Sequence, residues 1–94
     1  MSLNRINAYH VMWLFVFFDL PVLTKPQRKQ ATQFRKALEK DGFSMMQFSV
    51  YVRHCPSKEN MEVHVKRVRL ALPAAGQVSI LAVTDKQYSE IRNY

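Results

Sequence analysis

Apolar residues fill every position from Val11 to Phe18, and the run ends on Asp19, with Leu20-Pro21 directly behind it. Its β-branched and aromatic content predicts a strand, stopped by the proline. Odd and even positions are both apolar, so this strand is expected to be covered on both faces. Asp19 then stands at a sheet rim, either as a group with chemistry to do or as a solvated strand end.

The next pattern is helical. Thr24 is a good N-cap, Gln27 completes a capping box and Pro26 is tolerated in the first turn. A helix is expected to about Lys40, stopped by Gly42 in a left-handed conformation. At helical spacing Ala31, Phe34, Ala37 and Leu38 share one side, while Lys25, Arg28, Lys29, Lys36 and Lys40 share the other and Arg35 lies on the flank. Phe43 to His54 then alternates, with Met46, Phe48, Val50 and Val52 on one face and Met45, Gln47, Ser49, Tyr51 and Arg53 on the other. That length is long for one strand and predicts a break or bulge.

Cys55-Pro56-Ser57 reads as a turn, and Ser57 as the N-cap of a second helix from Lys58 to about Leu72, with the apolar stripe Met61, Val65, Val68 and Leu72. Val63 and Leu70 fall off that stripe, as scattered surface residues or as a partner contact. Gln77 to Thr84 is another strand, Asp85-Lys86-Gln87 a turn, and Tyr88 to Tyr94 a short tail. Residues 1–10 show no periodicity and are expected to be a flexible lead-in to one domain over residues 11–94.

Strand, helix, two strands, helix, strand is the order of a ferredoxin-like βαββαβ unit, an α+β fold with its helices on one face of the sheet. The two-sided apolarity of the first strand then asks for a second cover. A second copy packed face to face about a two-fold axis supplies one, and an added layer made by the tails also fits.

Charge narrows the partner. Fourteen lysines and arginines face 7 acids, for a net charge of +7, which suits a polyanion, nucleic acid or an anionic surface. The run from Val11 to Phe18 is far short of the roughly 20 apolar residues of a membrane span, and no signal-peptide pattern opens the chain. A membrane partner is therefore not expected. The basic side of the first helix has few acids to offset it, which favours phosphate binding over a plain solvated face. Cys55 is the single cysteine, so a cytoplasmic setting fits and no internal disulfide forms. His54, Cys55 and His64 lack the spacing of a metal cluster and read as a half-buried thiol and two ordinary histidines.

Under two-fold packing Asp19 meets its own copy. Two carboxylates forced together resist joint ionisation unless a cation intervenes. Mg²⁺, or Mn²⁺ in its place, takes one or two carboxylates, keeps several waters and assists phosphodiester hydrolysis. No Ser/His/Asp or Cys/His nucleophile set and no glycine-rich phosphate loop is evident.

Leu14-Phe15-Val16-Phe17-Phe18-Asp19-Leu20-Pro21, Phe34-Arg35-Lys36-Ala37-Leu38, Gly42-Phe43, Gln47-Phe48-Ser49-Val50-Tyr51 and Val78 to Val83 with Thr84-Asp85-Lys86-Gln87-Tyr88 resemble the CRISPR-associated Cas-two family. Members of that family are small dimeric partners of the Cas-one integrase in spacer acquisition, and the flavour is that of members from Cas-nine-type systems. The resemblance covers Met12 to about Tyr88. It implies a ferredoxin-like homodimer with Asp19 as metal-binding acid and Ser49 and Tyr51 close to the catalytic cleft. Lys25, Arg28, Lys29, Arg35, Lys36 and Arg53 are the candidate nucleic-acid contacts. Two roles are implied: a metal-dependent endonuclease of RNA or double-stranded DNA, or a non-catalytic DNA-binding scaffold for the integrase. Met45 stands where some relatives carry an arginine, and the segment Ser89 to Tyr94 is shorter than the family's last, partner-pairing strand.

Overall fold

The computed structural model describes residues 11–94, so the expected lead-in lies outside the described residues. Strand β1 (Met12–Asp19) is followed by helix α1 (Lys25–Lys40), strands β2 (Ser44–Gln47) and β3 (Val50–Cys55), helix α2 (Lys58–Leu70), strand β4 (Gln77–Thr84) and a short helix α3 (Asp85–Ser89). The sheet order is β2-β3-β1-β4, and β1 runs antiparallel to both of its neighbours. This is the ferredoxin-like α+β arrangement, with β1 at its centre.

Local chemistry sets the boundaries. The Thr24 hydroxyl accepts from the Gln27 amide and the Gln27 side chain returns a bond to the Thr24 amide, closing the expected capping box. Gly42 follows the helix with φ +89°, the conformation that glycine reaches without a Cβ clash. Ser57 caps α2 through Asn60. That helix stops at Leu70 rather than Leu72, and Leu72 is exposed instead of closing the apolar stripe.

The core lies between the sheet and the two long helices. Met12, Leu14, Val16 and Phe18 of β1 meet Phe34 and Leu38 of α1, Val68 of α2, and Phe43, Tyr51 and Cys55. Phe18 sets its ring edge-on to Phe34, with centroids 5.2 Å apart. Cys55 is fully buried there, and burial pushes its thiol up, away from the reactive thiolate.

The other face of β1 carries Trp13, Phe15, Phe17 and Asp19. By register it continues into Val50, Val52 and His54 of β3 and into Gln77, Ser79, Leu81 and Val83 of β4. The segment expected as turn and tail supplies part of its cover. Thr84 caps α3 with a second capping box, Tyr88 stacks on Trp13 at 3.6 Å, and the Trp13 indole donates to Asp85 at 2.7 Å. Phe17 and Leu81 stay exposed.

The alternation expected over Phe43 to His54 breaks between Met45 and Gln47, where the register shifts. Gln47 pairs with Val50 and so joins the open face, not the Met45–Tyr51 face on which simple alternation puts it. Phe48 and Ser49 form the turn between two short strands, the break that the length of this stretch demands.

Candidate functional site

Asp19 is the last residue of β1, opposite Gln77 at the start of β4. Its side chain is exposed on the open face and makes no ion pair or side-chain hydrogen bond among the described residues. Two backbone features hold it there. The Phe18 amide donates to the Ser49 carbonyl at 3.1 Å, which ties the β2–β3 turn to the end of β1. Gly76, at φ +100°, passes so close that a Cβ would lie 2.8 Å from the Asp19 carbonyl oxygen. Only glycine combines that φ with that approach.

Phe17, Asp19, Phe48, Ser49, Gln77 and Ser79 border a cleft of ≈ 320 Å³ on this face. Ser49 sits at φ +63°, a region that non-glycine residues enter rarely and at a cost of roughly 1–3 kcal/mol. The turn therefore spends stability to set this residue beside Asp19. Within one chain the cleft offers a single carboxylate with hydroxyl and amide oxygens around it. Among the described residues no three His, Cys, Asp or Glu side chains converge into a metal cage. An oxygen-lined rim with one free carboxylate fits a hard cation that keeps its own waters, and not a fully enclosed structural ion.

The expected site residues do not all meet. Tyr51 points to the helix side of the sheet, is 1 % exposed, and donates its hydroxyl to Glu39 Oε2 at 3.4 Å. Burial first, and then the Glu39 charge, push that hydroxyl above its ordinary range. Asp19 and Tyr51 thus lie on opposite faces, because the β3 register pairs Tyr51 with Val16, a core residue of β1.

Lys25, Lys29, Lys36 and Lys40 are exposed on α1, as the helical spacing predicts. Arg28 donates Nη1 to the Val22 and Leu23 carbonyls at 3.3 and 3.2 Å, and Arg35 donates Nη2 to the Thr32 hydroxyl at 3.2 Å. Arg53 stands apart from this stripe. Its Nε donates to the Asp41 carbonyl at 2.8 Å and its Nη1 to the His54 carbonyl at 2.7 Å, so the guanidinium fastens β3 to the end of α1.

Two clusters escaped the sequence reading. His64 is not an ordinary histidine: it is 3 % exposed, and its Nδ1 lies 2.7 Å from Asp41 Oδ2. Arg67 holds the other oxygen of Asp41 at 2.8 Å. Burial pushes the Asp41 carboxyl up, yet the bonds and charges of Arg67 and His64 outweigh it and hold the group below the usual carboxylate range. The available signal was position, since His64 falls one turn from Val68 on the core stripe of α2. The Trp13–Tyr88 stack had no comparable signal, because it joins residues far apart in the chain.

The family model for CRISPR associated protein Cas2, the Cas-two family that the motifs resemble, matches residues 12–91. The chain is 54% identical over 85 residues to a protein of Flavobacterium psychrophilum named CRISPR-associated endoribonuclease Cas2, covering 90% of this chain and 74% of that one. A protein of the same name from Parvibaculum lavamentivorans is 53% identical over 83 residues, 88% of this chain and 82% of its own. Another, from Ligilactobacillus salivarius, is 46% identical over 80 residues, 85% and 79% of the two chains. The match takes in the whole sheet, both long helices and the residues that border the Asp19 cleft, and on that extent the chain belongs to the CRISPR associated protein Cas2 family.

Proposed function

We propose that the chain works in CRISPR adaptation as a homodimeric, Mg²⁺- or Mn²⁺-dependent endonuclease of RNA or double-stranded DNA, cutting at a site shared by two Asp19 side chains. One observation carries this reading: a carboxylate without a protein partner among the described residues closes an apolar sheet face that remains partly uncovered. A second copy laid on that face would bury Phe17 and Leu81 and bring the two Asp19 side chains together. The relatives' name, CRISPR-associated endoribonuclease Cas2, supports phosphodiester cleavage.

When bound, the cation supplies a Lewis acid and a water that loses its proton more readily than bulk water. The chain's own residues do the rest. Asp19 holds the cation at a strand end whose position Gly76 and the Phe18–Ser49 bond fix. The Ser49 hydroxyl lines the same cleft and orients the strand to be cut. The cations of α1, on the helix layer, hold more distant phosphates of the same nucleic acid.

A second reading has its own support. The exposed lysines of α1 lie on the helix layer, across the sheet from Asp19. A duplex held there would not need the acid, as befits a scaffold for the Cas-one integrase.

The test compares wild type with Asp19→Ala on labelled single-stranded RNA and duplex DNA, with Mg²⁺ and with chelator. Loss of cleavage in the variant and in chelator is expected, and cleavage that survives both overturns the metal site. A variant that never differed from an inactive wild type, yet still binds duplex and the integrase, selects the scaffold. Neutralising Arg28 and Lys29 is expected to weaken duplex binding for every sequence. Each lost contact should flatten the logarithmic salt slope by about 0.9, and an unchanged slope removes the basic stripe from the reading.

A further inference from the structure

Behind the cleft, on the helix side of the sheet, the β2–β3 hairpin stands away from α1. It leaves a groove of ≈ 520 Å³ bordered by Val22, Arg28, Arg35, Met45, Phe48 and Tyr51. Phe48, at the hairpin tip, is 85% exposed and Met45 is 59% exposed. A ring left so open adds little to folding, because it removes little apolar area from water.

The groove is electrically graded along α1. Arg28 and Arg35, two turns apart, project to it from one side of the helix, and the bonds of Arg28 to the Val22 and Leu23 carbonyls pin its guanidinium there. Glu39 lines the opposite end, beside the Tyr51 hydroxyl. A phosphate is drawn to the arginines and repelled from the Glu39 end. An apolar slot with a free aromatic ring beside two guanidinium groups has the chemistry of a single-strand binding site, where bases stack and cations track the backbone.

We propose that this groove holds one unstacked nucleotide of a single-stranded nucleic acid, its base against Phe48 and Met45 and its phosphate on Arg28 and Arg35. Phe48 and Ser49 border both this groove and the Asp19 cleft. The hairpin tip therefore divides one strand into a gripped nucleotide and a neighbouring phosphodiester. A base paired within a duplex cannot enter, so the groove selects unpaired substrate. The consequence for cutting rests on the Asp19 reading; the binding does not.

Binding is measured in chelator, so that no cleavage intervenes, by anisotropy of a labelled single-stranded RNA and of the matching duplex. Phe48→Ala is expected to weaken single-strand binding by about 5- to 150-fold and to leave duplex binding unchanged, while Phe48→Tyr restores it. A 2-aminopurine base in the single strand should lose its fluorescence on binding wild type and keep it with Phe48→Ala. Arg35→Gln should flatten the single-strand salt slope by about 0.7. Single-strand binding equal to wild type in Phe48→Ala overturns the proposal, and so does an equal loss on both substrates. A changed sedimentation mass for Phe48→Ala also overturns it, by assigning the ring to a protein interface. Failure of the Asp19 reading looks different: no metal-dependent cleavage, with the Phe48 effect on binding intact.

Discussion

Removing the Asp41 carboxylate should be among the most damaging changes to a polar side chain in this fold. Asp41 follows α1 and bonds two residues of α2, so it ties together the helices that cover the sheet. The His64 contact is short and its imidazole is 3 % exposed. A hydrogen bond to a charged group contributes about 1.5–3 kcal/mol, and the imidazole left behind would be buried without this partner. The Arg67 contact adds less, about 0–1 kcal/mol, because that side chain is 60% exposed and its charge is screened by water. Asp41→Ala is therefore expected to cost about 2–4 kcal/mol. For a domain of this size that lowers the melting temperature by roughly 10–25 °C. Thermal and urea unfolding at one fixed protein concentration read the loss, since self-association would shift both. The acid limb gives a second check. A carboxyl held below its ordinary range contributes stability that is present above the unfolded pKa, about 3.9, and is lost as pH falls through the lower folded value. Asp41→Asn keeps an acceptor for His64 and should flatten that limb while costing less at neutral pH. An Asp41→Ala protein as stable as wild type to within about 0.5 kcal/mol would refute the reasoning.

Three further changes probe other levels of the structure. Gly76→Ala forces a Cβ to 2.8 Å from the Asp19 carbonyl at φ +100°; it should cost more than about 1 kcal/mol and shift the amide resonances of Asp19 and Leu20, and unshifted resonances would contradict this. Phe34→Ala empties a site that is 1 % exposed and should cost about 3–5 kcal/mol in urea unfolding, a loss under about 1 kcal/mol being incompatible with the described core. Tyr51→Phe gives up only a long 3.4 Å bond and should stay within about 1 kcal/mol of wild type at pH 7. Because the Tyr51 hydroxyl is pushed up, its contribution is present below about pH 10 and lost as pH rises through the higher folded value. The variant should flatten the alkaline limb of stability, and an unaltered limb would argue against that burial effect.

What could be read from the sequence was what local rules control. Capping boxes, a left-handed glycine and two-sided apolarity act over a few residues, so α1 and β1 fall where Thr24, Gly42 and the Val11–Phe18 run put them. The bulge at Met45–Gln47 was legible only as excess length, because alternation cannot tell where the extra residue sits. Tyr51 shows the cost. Its spacing from Ser49 suggests one face and one cleft, but Ser49 belongs to a turn and Tyr51 to the strand after it. The Asp41–His64–Arg67 cluster depends on how α2 packs against the end of α1, and polar residues carry no periodic signature of such pairing. Thr84 and Gln87 did carry a local signal for α3, since they repeat the spacing of Thr24 and Gln27.

The helix α3 also sharpens where a second copy would bind. Two-sided apolarity alone asks for cover along all of β1, and either a dimer or a tail can give it. Tyr88 lies on Trp13 and beside Phe15, which is 5% exposed, so the beginning of the strand is served from within the chain. Phe17 at 37% and Leu81 at 50% exposure remain, with Phe17 two residues from Asp19. Any apolar gain from self-association would thus be weighted towards the end that carries the acid, and an isologous contact centred there would bring each acid near the axis. Tail and dimer cease to be alternatives on this reading. The tail covers one half of the face, and would leave to a second copy the half where two carboxylates could share a cation.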